Sequence, residues 1–442
     1  MTFEPPKDIW DTAKLLEYDR ALGQGHELYL DLTQGRGEFS LRPMLRELGV
    51  SDKGSWKLRG AHDSQYLVLC GHRGCGKSTE LRKLAGRLHG QDLFFVVFTD
   101  ILERLDPQNL QYTDVLMASA GELLHQLAQE SISIEDSLVE PLKDWFYERV
   151  KSKTNTQDFE LKTEAGVQAK QGLPFLASLF AKVTASFKSN ATYKTELRKA
   201  IKNSFTDFAA HFNKLLAEVQ KIIHQDGLGH KVLFIIDGTD RLNGEDAQRF
   251  FIEDANQLQL IAGNFLYCAP IHLLHTGNQL QTRFKTHMLP MVKLHEKDDE
   301  THLFEPGYRV LRDMALRRAD ISLFDSEETL AKLVRYSGGN PRELIRLMSS
   351  TFSLTETELF DDEAVEKAMD RLAADFDRWL GPQDYQALHQ IDEGHEPECE
   401  PERINNMLYN LALLEYNSYW RRSHPAVRRI SHYRKLAEGT ES

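Results

Sequence analysis

Two kinds of apolar pattern alternate along this chain of 442 residues. Tyr66 to Cys70, Leu93 to Phe98 and Val232 to Ile236 are short uninterrupted apolar runs, as in strands buried on both faces of a parallel sheet. Elsewhere apolar residues recur every three or four positions. This spacing predicts helices over 79–88, with Leu81, Leu84 and Leu88 on one side, and over 116–129, 132–151, 195–223 and 247–261. Ile271 to His275 and Met291 to His295 read as two further core strands. About 130 residues separate the second run from Val232, too many for a simple crossover, so a helical insertion interrupts the sheet.

The predicted fold class is α/β, a parallel sheet with helices on both faces. Residues 1–65 form a lead-in and 66–305 the core, with the insertion at about 101–230. A small helical lid follows over 306–378, and 379–442 forms a C-terminal winged-helix-like module, a helix followed by a short hairpin.

Candidate chemistry starts at the end of the first apolar run. Gly71-His72-Arg73-Gly74-Cys75-Gly76-Lys77-Ser78, with Thr79, fits G-x-x-x-x-G-K-[ST] between a strand and a helix. Glycines let backbone N–H groups approach a polyphosphate without a Cβ clash. Lys77 supplies charge to the β- and γ-phosphates, Ser78 places a hydroxyl on Mg²⁺, and the opening helix adds its positive end. Cys75 occupies a permissive loop position and reads as structural, or as an oxidation-sensitive residue.

The run Val232 to Ile236 delivers Asp237 to a strand's carboxyl end, the position of a Mg²⁺-side carboxylate. Gly238 follows it, and the next acid is Asp240, which either orients water or braces the loop. Thr276-Gly277-Asn278 after the predicted strand 271–275 offers Asn278, then Thr276, as a γ-phosphate sensor, with a plain turn as the alternative. Ser337-Gly338-Gly339-Asn340-Pro341-Arg342 joins two predicted helices. Pro341 suits a first turn beside a base, and Arg342 either reaches the γ-phosphate or makes a surface ion pair. Arg36, in Thr33-Gln34-Gly35-Arg36-Gly37, is either a surface turn residue or a contact to base or phosphate.

Composition narrows the setting. The net charge of −13 excludes a surface that is basic all over, while leaving two local basic regions. One is 151–200, with nine Lys/Arg against four Asp/Glu; the other holds Arg421, Arg422, Arg428, Arg429, Arg434 and Lys435. The second makes nucleic-acid contact one reading of the C-terminal module, and packing or partner contact the other. The apolar and basic stretch 173–188 has three readings: a helix in the insertion's own core, a partner contact, or a membrane-surface element. Four cysteines without C-x-x-C pairing suit a reducing, cytoplasmic setting, and no apolar stretch is long enough to span a membrane.

With GHRGCGKST, VLFIIDGTDR, HTGN and GGNPREL in place, the chain resembles bacterial STAND-type P-loop ATPases, in the wider group of AAA+ and origin-recognition ATPases. The resemblance spans roughly 60–440 outside the insertion. It implies ATP or ADP with Mg²⁺, an ADP-bound resting form, ATP-driven homo-oligomerisation and use as a switch, often against bacteriophages. A separate effector or sensor protein would carry the response. Lys77, Ser78 and Asp237 take the phosphate and Mg²⁺ roles, Asp240 the water-activating role, and Pro341 with Arg342 the lid's sensing role. An arginine finger from a neighbouring subunit is expected of the group, with Arg317 and Arg318 as candidate donors. The missing glutamate after Asp237 and the long insertion are departures from it.

Overall fold

Strict alternation of side chains builds the central sheet. In β1 (Gln65–Gly71), Leu67 and Leu69 pack on one face while Val68 and Cys70 pack on the other. The computed structural model describes residues 3–60, 63–106, 110–151, 172–189, 191–297, 299–417 and 420–439. After β1 come α1 (Lys77–Leu88) and β2 (Phe94–Asp100). The insertion supplies α2 (Tyr112–Gln129), α3 (Asp136–Trp145), α4 (Leu173–Ser189), α5 (Ala191–Asn203) and α6 (Phe205–Gln225). Then come β3 (Lys231–Asp237), β4 (Asn264–Pro270) and β5 (Lys285–Met288). The five strands are parallel in the order β2-β3-β4-β1-β5, which brings the carboxyl ends of β1 and β3 to one edge with β4 between them.

Two core strands differ from the sequence reading. The strand after Asp237 is Asn264–Pro270, and Ile271–His275 is a 3-10 turn. Pro270 lacks the N–H that a continuing ladder needs. Met291 to Leu294 is buried but joins no strand, because its amides bond elsewhere: Val292 N–H to Gly339 O (3.1 Å) and Lys293 N–H to Gly35 O (2.8 Å). Two predicted helices are also broken. Ser204 divides 195–223 between α5 and α6, and 247–261 becomes short helical pieces around a wide turn at Arg249–Glu253.

The insertion covers one sheet face. Leu176, Leu179, Phe180, Val183 and Phe187 of α4 are buried in a core shared with α2, and Arg198 of α5 pairs with the buried Asp114 of α2. Of the three readings of 173–188, these contacts match the packed helix. The polar stretch 152–171 lies outside the described residues.

The lid comprises α7 (Glu305–Leu316), α8 (Glu327–Tyr336), α9 (Pro341–Leu354) and α10 (Asp362–Asp377). The C-terminal module comprises α11 (Pro382–Asp392), α12 (Pro401–Tyr409), the antiparallel pair β6 (Leu413–Glu415) and β7 (Arg421–Ser423), and α13 (Ser431–Ala437). One apolar core runs through lid and module, from Leu311 and Leu344 to Leu388, Leu408 and Val427. Four of its basic residues are ion-paired within the chain: Arg421 with Glu415, Arg422 with Glu300, Arg428 with Glu300 and Asp392, and Arg429 with Glu366 and Asp370. No helix among the described residues is long and apolar enough to cross a membrane.

Candidate nucleotide site

The glycine loop between β1 and α1 is shaped by two left-handed positions, Gly74 (φ 83°) and Gly76 (φ 103°). Gly76 caps α1 with no side-chain hydrogen bond, which leaves the helix's first N–H groups available to an anion. Lys77 and Ser78 follow at the start of α1. Asp237, at the end of β3, meets Ser78: the hydroxyl donates to the carboxylate at 2.8 Å. Loop, lysine, hydroxyl and strand-end carboxylate therefore converge, at the carboxyl edge of a parallel sheet with an interposed strand. This is the P-loop NTPase fold.

The phosphate loop opens into a cavity of about 730 Å³. Its floor is Gly74, Gly76, Lys77, Ser78 and Thr79 with Asp237, Asp240 and Arg241; Pro341, Arg342 and Ile345 of α9 form one wall, and residues 17–32 of the lead-in form another. Such a volume suits a small ligand with an apolar body and a charged tail.

Lys77 is buried, and its Nζ donates to Gly71 O (2.9 Å) and His72 O (2.7 Å) and pairs with Asp240 at 2.8 Å. Burial alone would lower the lysine's pKa, and the Asp240 carboxylate overrides it. The same contact holds Asp240 below the usual carboxylate range against its own burial. Asp240 thus pairs with the loop lysine at the floor of the cavity. Asp237 behaves oppositely: burial, then the charge of Asp240, push it up to about 6.

Ser78 and Asp237 are hard oxygen donors of the kind Mg²⁺ takes, and they fit it. The ion would there neutralise phosphate charge. Cys268 completes a close group with Asp237 and Asp240, but its thiol is fully buried and pushed well above its ordinary pKa, so it stays protonated and offers no hard ligand.

Asp237 must be ionised to ligate. The Mg²⁺-dependent part of nucleotide affinity is therefore expected to fall as pH drops through 6, approaching about tenfold per unit below it. Titration calorimetry with Mg²⁺ and with chelator, between about pH 5 and 8, measures this. Asp237→Asn should flatten the difference; a flat wild-type profile would remove Asp237 from the metal. The raised value has a stability consequence as well. It favours the folded chain fully below the ordinary aspartate value of about 3.8, and that contribution is lost as pH rises through about 6.

The lid reaches the loop directly. Asn340 caps α9 by accepting from the Arg342 and Glu343 amides, and its own Nδ2 donates to Arg73 O at 3.0 Å. Arg342 then lines the cavity and pairs with Asp19 of the lead-in at 3.3 Å. The ion pair expected as an alternative exists, inside the site. The C-terminal module grips the loop from behind: His72 is fully buried, Leu408 O lies 3.1 Å from its Nδ1, and the Glu415 amide donates to its Nε2 at 2.7 Å. Burial pushes this imidazole down to about 4, so it is neutral and donates through Nδ1.

Several residues stand apart from the sequence reading. Gly71 and the Cys75 side chain do not line the cavity; Cys75 is buried in the core beneath the loop, and a Cβ on Gly71 would come 3.0 Å from its Sγ. Asn278 is not brought to the site: it is exposed in a turn (φ 65°) beyond the 3-10 segment, and Thr276 bonds Leu273 O within that turn. Both were placed by a strand that ends at Pro270 instead. Arg36 is neither on the surface nor free. It is 1 % exposed, lines the cavity beside Gly76, and donates to Pro290 O and, at 2.6 Å, to Cys75 O, holding the loop's backbone. Of the two finger candidates, Arg317 is tied to Glu27 O, whereas Arg318 is buried and lines this chain's own cavity. Tyr18 and Asp19 of the cavity wall had no sequence signal, since their segment carries no periodicity.

No family model matches the chain, and no curated protein matches it. Among solved structures, it is similar to the Walker-type ATPase of Pyrococcus abyssi, with 14% identity, a TM-score of 0.43, and coverage of 94% of this chain and 99% of that one. It is also similar to the Thermotoga maritima RuvB Holliday junction branch migration motor, with 17% identity, a TM-score of 0.24, and coverage of 52% of this chain and 82% of that one.

Proposed function

We propose that the chain is an ATP-binding, slowly hydrolysing molecular switch of the AAA+ and STAND kind that controls a partner protein. The observation that carries this reading is that two of the cavity's cations, Lys77 and Arg342, are already paired within the chain, with Asp240 and Asp19. A triphosphate competes for both cations at once. Its binding therefore acts on the Walker B loop, the lead-in and α9 together, and the hydrogen bonds at Arg73 and His72 couple the same loop to the lid and the C-terminal module.

Slow turnover follows from the carboxylates. Gly238 (φ 90°) stands where hydrolytic relatives carry glutamate, and a Cβ there would come 3.0 Å from Leu102 Cγ. Asp240 is the acid left to orient water, and it becomes free only once phosphate takes Lys77. In the anti-phage setting implied by the resemblance, the partner carries the effector chemistry. The internal pairing of Arg421, Arg422, Arg428 and Arg429 favours partner control over DNA remodelling.

Light scattering with Mg²⁺-ADP, then with a non-hydrolysable ATP analogue, is expected to show a rise to a defined multimer. Phosphate release should be slow, and about tenfold slower still in Asp240→Asn. An unchanged mass together with unaltered turnover in Asp240→Asn would overturn the switch reading.

A further inference from the structure

Arg318 follows α7 and is 3 % exposed, yet its guanidinium has few partners for its five N–H donors. NH1 donates to Met314 O, in the last turn of α7, at 2.9 Å, and buried Nε has no partner. Burial depresses its pKa to about 10, with Arg317 adding to the effect. A buried cation without an anion is costly, and a buried donor left unsatisfied costs further. Such a group persists where a ligand completes it.

Position narrows what that ligand is. Arg318 lines the cavity alongside Met314, and Ile345 one turn beyond Pro341 lines the same space. Arg342 sits against the glycine loop: its amide donates to Gly74 O at 3.4 Å, and the adjoining Asn340 bonds Arg73 O. Arg318 sits where the end of α7 meets the lead-in, its neighbour Arg317 donating to Glu27 O at 2.7 Å. The two arginines therefore serve different ends of one cavity. With Lys77 and Ser78 fixing where phosphates lie, Arg318 faces what remains.

We propose that Arg318 binds the nucleoside half of the nucleotide in the same subunit, where its N–H groups donate to ribose or ring acceptors, or its plane stacks on the base. It is thus a binding residue in cis and not an arginine finger offered to a neighbour. This rests on the nucleotide-binding reading above, and the test separates the two.

The test compares wild type with Arg318→Met, which keeps an apolar stem but removes the charge, and Arg318→Lys, which keeps the charge without the planar fork. Calorimetry is run with Mg²⁺-ADP and with inorganic tripolyphosphate, and thermal unfolding is followed without ligand. In Arg318→Met, ADP affinity is expected to fall at least about tenfold with tripolyphosphate binding unchanged, the loss of a charge-assisted hydrogen bond. Ligand-free Tm should hold or rise, because the orphaned cation is gone. Arg318→Lys should recover little of the ADP affinity. With ATP, KM should rise while kcat at saturation stays within about twofold.

A finger acting in trans predicts the reverse: kcat collapses, ADP affinity is kept, and activity returns on mixing with Lys77→Ala subunits. That result would overturn the assignment, as would equal losses for ADP and tripolyphosphate. A fall in ligand-free Tm with ADP affinity intact would make Arg318 structural. If wild type binds neither ligand, the nucleotide reading itself fails.

Discussion

Lys77→Ala is expected to lower Mg²⁺-ATP affinity by about 100-fold or more, corresponding to about 3 kcal/mol for a buried charge on phosphate. It should also destabilise the ligand-free protein. Lys77 is the cation facing Asp240 at 2.8 Å, and both are largely buried. Removing one member of a buried pair strands the other, at a typical cost of about 3–5 kcal/mol. The sign with pH follows from which group is stranded. Without Lys77, the Asp240 carboxylate takes up a proton more readily, so the deficit should be large at neutral pH and shrink under acid. Adding Asp240→Asn to Lys77→Ala should restore much of the stability and none of the binding. Urea unfolding at two pH values and calorimetry read the two effects separately. Normal nucleotide binding by Lys77→Ala would show that the loop is not the phosphate site.

Gly339→Ala is expected to be among the most damaging single-methyl changes in the lid. Gly339 has φ 80°, where an alanine is strained, and its Cβ would lie 1.9 Å from Val292 O. That oxygen belongs to the segment whose amide bonds Gly339 O, so neither strand of the contact can move alone. Strain and overlap together should cost about 3 kcal/mol or more. Because Asn340 follows directly, the cap of α9 and its bond to Arg73 should loosen as well, weakening nucleotide binding. Chemical denaturation and ADP titration check both. Gly381→Ala is a fair control, since the nearest atom to its Cβ is the Asp384 carboxylate at an ordinary 3.6 Å.

The extent to which the site was legible depends on how far apart its parts lie in sequence. The phosphate loop was legible because Gly71 to Ser78 act as one contiguous turn between a strand and a helix. Asp237 was legible because an apolar run points to a single acid at its end. The error at Asn278 arose where two apolar runs adjoin: Asn264 to Pro270 and Ile271 to His275 are both strand-like, and Pro270 divides them. Met291 to Leu294 looked like a strand because it is buried, but burial does not reveal where its amides bond.

By itself, the sequence determined a P-loop sheet, a helical insertion, and the loop and strand-end residues Lys77, Ser78 and Asp237 that the fold brings together. These are local properties, set by side-chain period and by the conformations glycine and proline allow. Tertiary structure alone decided that Asp240 neutralises Lys77 and Asp19 neutralises Arg342, that His72 is held by residues more than 330 positions away, and that Arg36 supports the loop while Arg318 faces the cavity. Charge pairing and burial are set by distance in space, and no spacing along the chain encodes that distance.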